Sequence, residues 1–186
     1  MNKPIDISKT VLTTDRLVLR PWRQADLEDF YAYASVDGVG QMAGWLPHES
    51  RQTTQAVLDS FITHKKTFAL QLGSQVIGSL GIEQYNEAAY PELADKQGRA
   101  IGYVLSKDFW GRGLMPEAVR AVLRYLFETE KLDFVIISHF LWNTQSRRVI
   151  EKCGLRPYRE TVHETRFGTR EPTLEHILLR SEWETV

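Results

Sequence analysis

Residues 100–127 restrict what this chain can fold into more than any other stretch. Ala100 to Leu105 (A-I-G-Y-V-L) reads as a buried strand, and apolar residues then recur at Met115, Ala118, Val119, Val122, Leu123, Leu126 and Phe127. Those alternating steps of three and one trace a single face of an amphipathic helix. Between strand and helix lies D-F-W-G-R-G-L-M-P-E-A at 108–118, with Gly111 and Gly113 in the turn. A helix entered through such a turn presents N–H groups without intrahelical acceptors, together with the positive end of its dipole. Glycines let an anion approach this backbone closely, so the segment predicts a phosphate site.

Two familiar glycine loops fit poorly. No Lys-Ser or Lys-Thr follows Gly111 or Gly113, as a Walker loop requires, and Pro116 stands where a dinucleotide fingerprint needs its third glycine. Taken alone, a G-x-G turn is equally compatible with a plain strand-to-helix connection.

The next segment discriminates. Phe134 to Leu141 (F-V-I-I-S-H-F-L) has the β-branched and aromatic content of a second buried strand. It leads into Asn143, a good helix N-cap, and Gly154 suits the position just after a helix ending at Lys152 or Cys153. Strand, glycine turn, long helix, strand and short capped helix thus follow in order. With I-G-Y-V-L at 101–105, W-G-R-G-L-M-P-E-A at 110–118, N-T-Q-S-R-R-V-I-E-K-C-G-L at 143–155 and T-D-R-L-V-L-R-P-W at 14–22, the chain resembles the GCN5-related N-acetyltransferase superfamily. Within it, the similarity is to the branch containing ribosomal-protein N-terminal acetyltransferases, and it runs from about Leu12 to Trp183. The family's phosphate loop usually carries Gln or Arg first and Gly or Ala last; here Trp110 and Met115 hold those places.

The resemblance implies an α+β fold: one N-acetyltransferase domain over 1–186, with a mixed, mostly antiparallel sheet splayed at its centre. About seven strands and about four flanking helices are expected. It implies acetyl-coenzyme A as cosubstrate, the diphosphate resting on the N–H groups of Trp110, Gly111, Arg112, Gly113, Leu114 and Met115. Main-chain groups of Tyr103, Val104 and Leu105 would pair with the pantetheine, and an N–H near Val104 or Leu105 would polarise the thioester carbonyl. Asn143 would contact the cofactor, Ser146 would lie near the sulfur to bond or protonate the departing thiolate, and Arg147, with Arg148, would reach the 3′-phosphate. The plainer alternatives are an N-cap for Asn143, a first-turn hydrogen bond for Ser146 and solvated charge for the arginines.

Acetylating an amine requires a neutral nitrogen, and a carboxylate is the usual means of removing the proton. Glu164 and Glu83 are the candidates, with Glu164 favoured; a solvent-facing strand residue is the alternative for each. Trp45 and Met42, with Leu46 and the 86–98 loop, are candidates for the acceptor wall, although Trp45 equally suits a core cap.

Composition narrows the rest. With 186 residues and 42% apolar content, one domain with a sizeable core is expected. The net charge of −1 gives no reason to expect nucleic-acid binding. No apolar run approaches a membrane span, and the single Cys153, expected as a packed thiol, fits a cytoplasmic setting. The five histidines show no ligand spacing, so no metal is expected. Remaining periodicities predict a strand at 17–19, helices at 27–34 and 52–65, strands at 68–72 and 76–85, and two terminal strands at 156–164 and 173–179. Ile177, Leu178 and Leu179 suggest either a homodimer contact or an internal strand. The function expected is direct acetyl transfer to a primary amine, at a protein N-terminus or on a small molecule. The alternatives are O-acyl transfer and a catalytically idle coenzyme-A-binding module.

Overall fold

One sheet carries the structure, a computed structural model in which residues 1–183 are described. Its strands are β1 (Leu12–Thr13), β2 (Leu17–Pro21), β3 (Thr67–Leu72), β4 (Gln75–Glu83), β5 (Gly98–Leu105), β6 (Phe134–Phe140), β7 (Arg156–Glu164) and β8 (Arg170–Leu179). They lie in the order β1-β2-β3-β4-β5-β6-β8-β7. Every pairing is antiparallel except β5–β6, which is parallel and joined by the crossover helix α3 (Leu114–Arg124). The other helices are α1 (Leu27–Ala34), α2 (Arg51–His64), α4 (Thr144–Lys152) and α5 (Arg180–Trp183). The expected α+β architecture is present, with the short edge strand β1 and the C-terminal α5 as additions too brief to leave a periodic signal.

Helix α3 forms as its spacing predicts. Leu114, Met115, Ala118, Val119, Val122 and Leu123 are buried on one side and pack against strands β2 to β6 in the largest apolar cluster. Each fully buried aliphatic side chain stabilises the fold by roughly 1.5–3 kcal/mol. A π-turn at Tyr125–Thr129 continues the helix, and the chain then returns to β6 through Lys131 in a left-handed conformation.

The centre of the sheet is open. Pairing of β5 with β6 runs from Gly98↔Phe134 to Ile101↔Ile137 and stops. Strand β5 stays paired with β4 as far as Leu105, and β6 with β8 as far as Phe140. Residues 102–105 and 138–140 therefore diverge, leaving one side of each strand's main chain without a partner strand.

The C-terminal segment forms an internal strand. β8 lies between β6 and β7; Ile177 and Leu178 are 1% and 2% exposed and belong to the core, while Leu179 is half-buried. The 86–98 loop folds into two short 3-10 turns whose Tyr90 and Leu93 pack on the sheet with Phe134, Ile136 and Ile177.

One ion pair deep in the fold carries a stability prediction. Asp26 receives Arg20 Nη1 and Nη2, both at 2.8 Å, with the two side chains 8% and 7% exposed. It also accepts the N–H of Arg23 at 2.8 Å, anchoring the entry to α1. Removing one member of a buried pair strands the other charge, so Asp26→Ala should cost about 3–5 kcal/mol in a urea titration. A loss under about 1 kcal/mol would mean that water reaches Arg20.

Candidate functional site

Where β5 and β6 part, a cleft of about 370 Å³ opens toward α3 and α4. Its walls come from Tyr103 to Leu105, the 109–116 turn, the first two turns of α4, and Val39 with Met42 from the connection before α2.

The glycine turn forms the first wall. Gly111 and Gly113 have φ of +76° and +75°, a left-handed conformation that costs an L-residue roughly 1–2 kcal/mol. Gly113 is the N-cap of α3 and supplies no side-chain cap. Trp110 still donates its N–H to the Lys107 carbonyl, at 3.2 Å, and Glu117 to the Gly113 carbonyl, at 3.4 Å. Between them the N–H groups of Gly111, Arg112, Gly113, Leu114 and Met115 meet no acceptor among the described residues, and Pro116 has no N–H to satisfy. The result is a run of free donors at the positive end of a helix dipole. Of the expected loop residues, only Arg112 stands apart from the cleft: its guanidinium lies 5.0 Å from the Phe109 ring centre and its carbonyl accepts Arg16 Nη1 at 2.9 Å.

Strand β5 supplies the floor. The Ser106 N–H donates to the Ile77 carbonyl at 2.7 Å, and antiparallel pairing alternates bonded and open positions. In the observed register (Ser79↔Val104, Leu80↔Tyr103, Gly78↔Leu105) Val104 spends its main-chain groups on β4. Tyr103 and Leu105 turn theirs to the opening, where the Leu105 carbonyl accepts the indole of Trp110 at 2.8 Å. Sequence reasoning held Val104 and Leu105 equal as N–H donors; the register distinguishes them in favour of Leu105, with Tyr103 as the neighbouring donor.

Helix α4 forms the opposite wall. Asn143 caps it, accepting the Ser146 N–H on Oδ1 at 3.0 Å. Ser146 Oγ meets the Tyr103 hydroxyl at 2.9 Å, a contact from strand to helix across the mouth of the opening. Burial raises the Tyr103 pKa above its ordinary value, which the bond to Ser146 partly offsets, so the phenol stays protonated. Farther along, Gln145, Arg148, Val149 and Lys152 form an i, i+3, i+4, i+7 stripe facing the cleft, and neither Arg148 nor Lys152 has an ion-pair partner among the described residues. Arg147 instead pairs with Glu151 at 2.8 Å on the exposed side. This corrects the expectation for Arg147, and the helical phase of 145–152 was the signal available. Cys153, at the helix end, is buried as expected, and burial pushes its thiol up to about 11.

The two carboxylates fall on opposite faces of the sheet. Ile101, Tyr103 and Leu105 face the α3–α4 cluster, so Gly102 and Val104 face the other side by strand alternation. Glu83, at the end of β4, shares that other face. A Cβ on Gly81 would sit 2.6 Å from Glu83 Oε1, so the carboxylate lies over Gly81, which pairs with Gly102 where the sheet opens. Lys66 Nζ donates to its Oε2. Glu164 pairs with Arg170 at the exposed end of the β7–β8 hairpin and shares the face of His176 and Leu178, away from Glu83. His163, the next residue back, faces Phe140 at 5.8 Å between ring centres.

Of the two acceptor-wall candidates, Met42 lines the cleft. Trp45 does not; its ring covers Gly40, where a Cβ would approach it to 2.3 Å, and lies 5.0 Å from His48. Trp45 is thus a lid on the apolar cluster of α1 and α2. Among the described residues no three His, Cys, Asp or Glu side chains gather as metal ligands, and no helix is long and apolar enough to cross a membrane.

Comparisons with known proteins bear on the family and the fold. The family model described as "Acetyltransferase (GNAT) domain" matches residues 16–156. The chain is 28% identical over 152 residues to "Uncharacterized N-acetyltransferase YoaA" of Bacillus subtilis (strain 168), covering 77% of this chain and 81% of the relative. It is 25% identical over 166 residues to the "[Ribosomal protein uS5]-alanine N-acetyltransferase" of Escherichia coli (strain K12), covering 80% and 79%. The crystal structure of a GNAT-family acetyltransferase from Bacillus anthracis superimposes with a TM-score of 0.81 over 93% of this chain and 100% of that one. At 22% identity, that last likeness speaks for the fold alone.

Proposed function

The chain belongs to the GNAT acetyltransferase family and is an acyltransferase, and from that premise we propose that it moves the acetyl group of acetyl-coenzyme A directly to a primary amine. The observation that carries the cofactor assignment is the run of five unpartnered N–H groups from Gly111 to Met115 beside the opening between β5 and β6. Such a row suits a diphosphate, and the cations of Arg148 and Lys152 at the cleft suit further phosphate charge. The N–H groups of Tyr103 and Leu105 and the Tyr103 carbonyl, which face the opening, suit an extended amide-bearing arm laid along the strand. When bound, acetyl-coenzyme A supplies the activated acetyl group.

The protein's own groups divide the remaining work. The N–H of Leu105 or Tyr103 stabilises the negative charge that develops on the carbonyl oxygen during attack. Glu83 accepts the proton that the acceptor's ammonium must lose before its lone pair can form the C–N bond. We assign this role to Glu83 over Glu164 because its carboxylate lies over Gly81, level with Gly102, the first residue of β5 without a partner on β6. The Ser146 hydroxyl hydrogen-bonds the departing thiolate, which takes up the second proton shed by the newly acylated nitrogen as the C–S bond breaks, and the Tyr103 hydroxyl holds Ser146 Oγ in place. The acceptor approaches from the face of Gly102, where nothing lies within 4 Å of a Cβ position. The E. coli relative is named for acetylating an alanine of a ribosomal protein, which makes a peptide N-terminus one acceptor to test alongside small amines.

A thiol-release screen with acetyl-coenzyme A against peptides, polyamines and aminoglycosides tests this reading. At least one amine should release thiol stoichiometrically with acetylated product. Calorimetry showing no coenzyme A binding would remove the cofactor assignment; binding without release by any amine would remove the catalytic one.

A further inference from the structure

We infer that Asn143 is a positioning residue that ties the acceptor wall to the helix carrying Ser146, a role beyond capping α4 and distinct from contacting the cofactor. The inference rests on the reading of the cleft given above. Asn143 is 5% exposed, and both ends of its carboxamide are engaged within the protein. Oδ1 accepts the Ser146 N–H at 3.0 Å, and Nδ2 donates to the Met42 carbonyl at 3.2 Å. An N-cap alone is served as well by Ser or Asp. What asparagine adds is the Nδ2 amino group, and one of its two N–H donors goes to Met42.

The bond to Met42 joins two walls that come from different parts of the chain. Val39 and Met42 reach the cleft from the 37–50 connection, which packs on the Val104 face of β5. Ser146 reaches it from α4, on the Tyr103 face. Among the described residues, Asn143–Met42 is the one hydrogen bond between that connection and α4. The connection is closed on itself by Trp45 N–H to the Gly40 carbonyl at 3.1 Å, and its other tethers lead away from α4: Arg166 N–H to the Gly44 carbonyl at 2.9 Å, His48 N–H to the Ala34 carbonyl at 2.9 Å, His48 Nδ1 to Thr54 Oγ1 at 2.9 Å and Lys107 Nζ to the Asp37 carbonyl at 3.4 Å. One carboxamide therefore sets the spacing between the wall that meets the acceptor and the hydroxyl assigned to the leaving sulfur.

Asn143→Asp and Asn143→Ser separate the two ends, since each keeps a side-chain cap and removes the donor. In both variants amide hydrogen exchange over residues 40–46 should quicken by about tenfold or more, with α4 still protected. With an amine found by the thiol-release screen, KM for the amine should rise about tenfold while KM for acetyl-coenzyme A stays within about twofold. Unchanged exchange at 40–46 overturns the inference, as does a rise in KM confined to acetyl-coenzyme A. A change in the Asp variant without one in the Ser variant also overturns it, because added charge and not the lost bond would then be the cause. If no amine releases thiol with the unaltered protein, the catalytic reading fails, and the exchange measurement still decides this one.

Discussion

Glu83→Gln should lower kcat by about 100-fold or more while leaving coenzyme A affinity within about twofold. Glutamine keeps the size of the side chain and can still meet Lys66, so the change removes proton-accepting capacity with little else. An aliphatic amine with a pKa near ~10 is almost wholly protonated at neutral pH, and without a base only the free amine reacts. The residual rate of the variant should then climb about tenfold per pH unit between roughly 7 and 9, while the unaltered enzyme shows a shallower dependence. Gly81→Ala provides a second route to the same result. Its Cβ would crowd Glu83 Oε1 and displace the carboxylate from its place over the opening without removing it. Stopped thiol release with Glu164→Gln, alongside a fully active Glu83→Gln, would transfer the role to the other face and refute the assignment.

Gly113→Val should weaken coenzyme A binding by about 100-fold or more, the second large effect expected. A β-branched residue resists the φ of +75° found there, and the strain is relieved only by rotating the turn. That rotation turns neighbouring N–H groups out of line. With each charge-assisted bond worth roughly 1.5–3 kcal/mol, losing two accounts for a drop of that size. Some stability is lost as well, so a control is needed. Gly73→Val, in the β3–β4 turn, replaces another left-handed glycine (φ +60°) with nothing within 4 Å of its Cβ position. It should cost similar stability and leave cofactor affinity intact. Calorimetric titration of the two variants decides the matter; equal affinity in both would mean that the turn does not hold the diphosphate.

Much of the site was legible in the chain because its parts are local. The apolar stripe of α3, the two glycines ahead of it and the Asn143 cap are each written within about a dozen residues, where helical spacing and cap chemistry operate. Orientations that depend on distant partners were not legible in this way. Glu164 looked suitable from its place before Gly168, yet β7 carries a register shift between Pro157 and Arg159. One inserted residue moves every later side chain to the other face of a strand, and no local pattern announces it. Arg147 and Arg148 were offered together, and only the helix's rotation relative to the cleft separates them. Trp45 suited an acceptor wall and a core cap equally, and the space left by Gly40, which its ring fills, favours the cap.

The chain alone determined the order of strands and helices, the glycine turn ahead of α3 and the family, because these follow from periodicity and from the conformations open to particular residues. Tertiary structure decided where β5 leaves β6, which carboxylate lies over the opening, and how Asn143 reaches Met42. Those facts depend on register and on contacts between residues far apart in sequence, as with Gly81 and Gly102 brought side by side, and short-range preferences do not encode such distances.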